Sequence, residues 1–285
     1  MSSLTLRRHA GPEDFLASAQ DWLVAREAEH NLLLGIVGSL LETPGRSAQA
    51  VYLATLSEGE DIVGCAFRTP PFKVGVTRLP DGGGELLAQD LAQVYEHLPA
   101  VLGPPDSARA LGRAWARLRG LEVEDGTAQR IYALDRVRMP ADLVKGFMRP
   151  AVRADLEQAT RWMTEFIAET TLQGAEPGEV AVRLIDAGAL AVWEDAGPVA
   201  MAGFSGATAN TVRVSYVYTP PECRSRGYAT ALVAHLSRYL LETRCRQCVL
   251  YTDLGNPTSN RIYMKLGYTP VADALDVLFT SPDDR

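Results

Sequence analysis

Residues 212–219, Val-Arg-Val-Ser-Tyr-Val-Tyr-Thr, carry the β-branched and aromatic side chains that favour a half-buried strand. Beyond them Ala229, Leu232, Val233, Leu236 and Leu240 recur at helical spacing. Between the two runs stands Arg224-Ser225-Arg226-Gly227-Tyr228-Ala229-Thr230. The chain must pass from strand to helix here, and the first N–H groups of a helix have no partner inside it. They also lie at the positive end of the helix dipole. Gly227 lets the main chain approach a ligand closely, and small Ala229 keeps the first turn open. Arg224 and Arg226 can add charge-assisted hydrogen bonds. A phosphate or pyrophosphate suits such a junction.

A second constellation follows. Residues 248–253 read as the next strand. Then come Asn256-Pro257-Thr258-Ser259-Asn260-Arg261-Ile262-Tyr263 and Met264-Lys265-Leu266-Gly267-Tyr268. Asn256 is a plausible N-cap, with Pro257 at the first helical position. As a cap it needs no ligand; a ligand contact is the alternative. Asn260 falls one helical turn before Tyr263 on the same face.

Together these segments resemble motifs A and B of the GNAT superfamily, the acyl-CoA N-acyltransferases. The family pattern Gln/Arg-x-x-Gly-x-Gly/Ala reads here as Arg224-x-x-Gly227-x-Ala229. The Asn-x-x-Tyr pair and the Leu-Gly-Tyr exit match motif B. The resemblance covers roughly residues 145–280. It implies acetyl-CoA as the acyl donor, held at Arg224, Ser225, Arg226, Gly227, Tyr228, Ala229 and Thr230. It further implies that the backbone of Val217, Tyr218 and Thr219 pairs with the pantetheine arm, that Asn256 and Asn260 lie beside it, and that Tyr263 is the general acid. A phenol of pKa ~10 stays protonated where a thiol of pKa ~8.5 begins to ionise, so Tyr263 can donate to a departing thiolate.

The resemblance also implies a mixed α+β fold with a mostly antiparallel central sheet flanked by helices. The second half fits its order. A strand is expected at 145–152, helices at 155–171 and 177–187, and strands at 190–193 and 199–204 about a Glu194-Asp195-Ala196-Gly197 turn. The motif strand, motif helix, next strand, motif B helix and a last strand at 274–280 complete it. The first half repeats this order more loosely, with a strand at 4–8, helices within 13–42, strands at 51–56, 62–68 and 73–78, helices at 84–98 and 108–119, and a closing strand at 128–136. Local echoes include Asp14…Trp22-Leu23 against Asp155…Trp162-Met163. We read two tandem GNAT-like domains, 1–140 and 141–285. The first has lost its phosphate chemistry. At its equivalent turn, Leu79-Pro80-Asp81-Gly82-Gly83-Gly84-Glu85, the glycines remain but Asp81 and Glu85 would repel a pyrophosphate.

Composition narrows the partners. With 285 residues the chain is long enough for two cores. A net charge of −7 and the lack of a long basic run argue against nucleic-acid binding. No apolar run reaches the length of a membrane span, and the N-terminus lacks a signal-peptide core, so a cytoplasmic location is expected. Four cysteines are present. Cys245-x-x-Cys248 reads as half a zinc site, a redox pair, or two cysteines at a helix-to-strand junction. Zinc needs four ligands and no second such pair exists, so no metal is expected.

The expected activity is acetyl-CoA-dependent N-acetylation of a primary amine, on a small molecule or peptide, by direct attack in a ternary complex. Two alternatives stand beside it: a silent CoA-binding regulatory or interaction protein, and a tandem acetyltransferase similar to the mycothiol synthases. Some family members place a glutamate base on the motif strand. Here that strand offers Arg213, Ser215 and Val217. Glu165, Glu169, Asp253 and a water chain remain candidates for the base, and oligomeric state is unread.

Overall fold

The computed structural model describes residues 4–42, 51–141, 144–170 and 176–281. Residues 1–3, Asp142 at the expected domain boundary and Thr171 at the expected helix end lie outside them. The chain packs as two compact units. One comprises Met1–Arg130, Asp253–Gly255 and Ala272–Arg285; the other comprises Ile131–Thr252 and Asn256–Val271.

Both halves of the sequence follow one element order, β-α-α-β-β-β-α-β-α-β. In the first half these are β1 (Leu4–Arg8), α1 (Pro12–Val24), α2 (Glu27–Glu42), β2 (Tyr52–Glu58), β3 (Asp61–Arg68), β4 (Val74–Val76), α3 (Gly83–Val94), β5 (Ala100–Gly103), α4 (Pro105–Arg119) and β6 (Glu122–Leu134). In the second they are β7 (Phe147–Pro150), α5 (Leu156–Glu169), α6 (Pro177–Asp186), β8 (Leu190–Glu194), β9 (Pro198–Ser205), β10 (Thr211–Tyr218), α7 (Tyr228–Thr243), β11 (Gln247–Asp253), α8 (Pro257–Leu266) and β12 (Thr269–Thr280). Proline opens α1, α4, α6 and α8, where its missing N–H costs nothing. Left-handed Gly120 and Gly267 close α4 and α8.

In the first unit β1 to β4 form antiparallel pairs in sequence order, β4 and β5 run parallel, and β5 pairs antiparallel with β12. In the second, β7 to β10 form an antiparallel series, β10 and β11 run parallel, and β6 follows β11. Side chains alternate across each strand. On β2, Leu53 joins Phe15, Leu23 and Leu33 of α1 and α2, whereas Tyr52 and Leu56 join Leu87, Leu91 and Trp115 of α3 and α4. The second unit has one core, in which Trp162 and Met163 of α5 and Leu232, Leu236 and Leu240 of α7 cover the sheet. Burial of each such side chain stabilises by ~1.5–3 kcal/mol.

Three elements differ from the expectations. The closing strand of the first half, expected at 128–136, spans Glu122–Leu134. The helix expected at 84–98 stops at Val94, and a short strand β5 follows. The last strand starts at Thr269, five residues before the expected Ala274, and from Ala272 onward it belongs to the first unit, where Leu275 faces Gly103.

Candidate functional site

The site is built where β10 leaves β11. The two strands pair over Thr211↔Gln247, Val212↔Cys248 and Arg213↔Val249 and then part, although β10 runs on to Tyr218 and β11 to Asp253. A bulge accompanies the parting. On the opposite edge the register with β9 jumps between Ser215↔Gly203 and Tyr218↔Met201, and Tyr216 takes φ +52. A left-handed conformation costs a non-glycine residue ~1–2 kcal/mol, so the fold holds Tyr216 there against its own preference. The bend leaves the second half of β10 without β11 at its side.

The first unit shows the same pair closed. Val74↔Val101 and Gly75↔Leu102 are in register, and a Cβ added at Gly103 would stand 2.5 Å from Val76 Cγ2 and 2.7 Å from the Val76 carbonyl oxygen. No wedge opens between β4 and β5.

Past Tyr218 the chain makes the turn that precedes α7. Ser225 (φ +62) and Gly227 (φ +86) are both left-handed, and Gly227 is the N-cap. Among the described residues no acceptor takes the backbone N–H of Ser225, Arg226, Gly227, Tyr228, Ala229 or Thr230. A Cβ at Gly227 would lie 2.9 Å from Val144 Cγ1, so a side chain there meets both strain and a clash.

The two arginines differ. Arg224 donates to Glu169 at 2.7 and 2.9 Å and to the Thr219 carbonyl at 2.8 Å, and its guanidinium lies 5.5 Å from the Tyr218 ring centroid. Arg226 is exposed and reaches the Tyr228 hydroxyl, which donates to Asp195 Oδ2 at 2.6 Å. Val217 is half-buried against the core, and the Thr219 hydroxyl is buried with no hydrogen-bond partner among the described residues.

At α8, Asn256 Oδ1 accepts from the Ser259 N–H at 3.1 Å, the cap expected of it. Asn260 donates to the Asn256 carbonyl at 2.7 Å and accepts from the Tyr132 hydroxyl at 3.0 Å, so its amide ties α8 to β6. Tyr263 is buried, with its ring edge-on to Tyr268 at 5.8 Å. Burial pushes its pKa up to about 12. Its hydroxyl has no hydrogen-bond partner among the described residues.

Of the carboxylates weighed from sequence, Glu169 is held by Arg224, and Asp253 accepts from the Gly255 N–H at 2.7 Å in the first unit. Glu165 accepts from the Tyr218 hydroxyl at 2.9 Å. Burial first, then that carboxylate, pushes Tyr218 up to about 12. The bulge at Tyr216 and the contacts of Tyr218 and Tyr228 were not readable beforehand. Nothing in a run of β-formers marks a register jump.

Cys245 and Cys248 bring their sulfurs to 3.9 Å, and Cys248 also donates to the Ser237 carbonyl. Among the described residues no group of three or more His, Cys, Asp or Glu side chains is placed to hold a metal ion.

A mostly antiparallel sheet flanked by helices, parted between two parallel strands ahead of a glycine-led helix, defines an acetyltransferase-type fold. Residues 156–268 match the model of the Acetyltransferase (GNAT) family, and this segment is a GNAT domain. The first half is consistent with a second GNAT-like region. Among solved structures, a Drosophila protein is similar at TM-score 0.69 and 14% identity, over 96% of this chain and 98% of its own. A GCN5-related N-acetyltransferase from Sphaerobacter thermophilus is similar at TM-score 0.61 and 16% identity, over 98% and 96%. A tandem GNAT protein from the clavulanic acid biosynthesis pathway follows at TM-score 0.52 and 15% identity, over 98% of both chains. At these identities the likeness is one of fold. No curated protein matches the sequence.

Proposed function

We propose that the chain is an acetyl-CoA-dependent N-acetyltransferase whose second unit holds the acyl donor and passes its acetyl group to a primary amine by direct attack in a ternary complex. The observation that carries this reading is the parting of β10 from β11 immediately before a helix start with unaccepted N–H groups.

The residues present fit the donor. The N–H groups of Ser225 to Thr230 suit a pyrophosphate, aided by the exposed Arg226 guanidinium. Arg224, bound to Glu169, braces the turn against α5. The open edge of β10 at Val217, Tyr218 and Thr219 offers main-chain groups to the amide-bearing pantetheine arm, as an added strand would. When bound, acetyl-CoA supplies an activated thioester. Pre-aimed N–H donors at an acyl carbonyl contribute ~3–4 kcal/mol to such transfers. Tyr263, protonated throughout the neutral range, donates a proton to the departing sulfur. Asn256 and Asn260 hold the start of α8 and thereby the Tyr263 ring.

A second reading, CoA binding without turnover, is favoured by one observation: β10 carries no carboxylate. Thiol release from acetyl-CoA, followed with a panel of primary amines, separates the two. Release with at least one amine, lost in Tyr263→Phe, supports the enzyme. Stoichiometric binding with no release from any amine supports the silent protein.

A further inference from the structure

We infer that Glu165 receives the acceptor amine as its ammonium ion and takes the first proton from it, with Tyr218 as the residue that positions the carboxylate. This rests on the acetyltransferase reading and adds to it the charge of the acceptor and the group that handles its proton.

Position comes first. Helix α5 packs on β10 at the bulge, where Phe166 meets the Tyr216 ring edge-on at 5.7 Å and the preceding residue, Glu165, meets Tyr218. Tyr218 is the last residue of β10. Glu165 therefore hangs beside the end of the strand whose edge is open. Other carboxylates of this unit are held by a partner or exposed. Glu169, one helical turn on, forms two hydrogen bonds to Arg224. Asp195, in the β8–β9 turn, accepts from Tyr228. Glu222 is exposed in the turn before α7. Glu165 has no cationic partner among the described residues, and only its Oε2 is engaged. Its Oε1 is left to a donor from outside the protein.

Chemistry follows. A half-buried carboxylate that lacks a counter-ion favours a cation, and a primary amine at neutral pH is one. Tyr218, with its pKa pushed up to about 12, remains a hydrogen-bond donor and fixes one oxygen while the other meets the ammonium. One N–H proton passes to Glu165 and on to solvent. The freed lone pair forms the C–N bond to the acetyl carbon as the C–S bond breaks. The sulfur takes the Tyr263 proton, and the second N–H proton restores that tyrosine. The balance is ammonium plus thioester giving amide, thiol and one proton.

The test uses the whole chain, acetyl-CoA and a panel of benzylamine, spermidine and free amino acids, with thiol release as the readout. Glu165→Gln should lower kcat/KM for the accepted amine ~100-fold while the acetyl-CoA Kd stays within about twofold. Tyr218→Phe should give a smaller loss, about five- to tenfold, expressed mainly in the amine KM. Glu157→Gln, exposed on the same helix, should behave as wild type. If Glu165→Gln does not fold, Glu165→Asp reports instead, since it keeps the charge and shortens the reach. Wild-type amine kinetics in the folded Glu165 variant overturn this assignment and leave the acetyltransferase reading standing. Bound acetyl-CoA with no thiol release by the wild type on any amine overturns both.

Discussion

Gly82 and Gly227 adopt the same backbone conformation at the same point of their halves. Each is left-handed, at φ +78 and +86, and each caps the helix that follows the fourth strand. Around Gly82 stand Asp81 and Glu85, and Glu85 is paired to Arg117 at 3.0 Å. Around Gly227 stand two arginines and a run of unaccepted N–H groups. One backbone device survives in both halves, whereas the charge that suits an anion is found in the second.

Replacement of Gly227 by valine should abolish or sharply weaken acetyl-CoA binding. The positive φ costs a β-branched residue at least ~1–2 kcal/mol. The Cβ also lies 2.9 Å from Val144, and the side chain blocks the ligand's approach. A loss of at least about tenfold in calorimetric affinity is expected, since ~1.4 kcal/mol is one decade. Gly82→Ala, which meets nothing within 4 Å, should leave that affinity unchanged.

Tyr263→Phe should reduce turnover ~10²-fold or more, within the range a positioned acid contributes. The ring packing against Tyr268 is kept, so acetyl-CoA affinity should not move. Equal turnover in the variant would remove Tyr263 from the chemistry.

The pH profile carries a sign. Burial raises the Tyr263 pKa to about 12, which favours the protonated form. Ionisation therefore comes later than in a free phenol of pKa ~10, not earlier. Turnover at saturating amine should show no tyrosine-dependent fall between about pH 8 and 10. A descending limb that disappears in Tyr263→Phe would contradict the burial argument.

Asp155 offers a stability test away from the chemistry. It accepts from Arg149 at 2.7 and 2.8 Å and from the Val152 N–H at 2.8 Å. The Arg149 hydrogen bonds hold its carboxyl below the usual range. A depressed folded pKa stabilises above the unfolded value and loses that contribution as pH falls through the folded one. Asp155→Asn should cost about 2 kcal/mol at neutral pH in urea unfolding. The difference should shrink as pH drops below about 4. A pH-independent difference would mean that the charge is not what stabilises.

Much of the second half was readable because its signals are local. The strand-to-helix switch at Gly227 is written in a change of period from two to 3.6, and Asn256-Pro257 announces α8 by cap chemistry. The hairpin turn at Asp195–Gly197 is equally local, with Ala196 and Gly197 both at positive φ. What escaped depends on partners distant in sequence. β5 is only Ala-Val-Leu-Gly, too short to show a period. The place of β12 follows from which strand it pairs with, and the alternation of Leu275 and Val277 fits pairing with strands of either unit equally well. The Tyr218–Glu165 hydrogen bond joins residues 53 apart, and only the packing of α5 on the bulge brings them together.

The most direct test of the central claim is a calorimetric titration of the whole chain with acetyl-CoA. The account predicts saturation at one site per chain, lost in Gly227→Val and retained in Gly82→Ala. Two sites, or binding unaffected by the Gly227 variant, would contradict it.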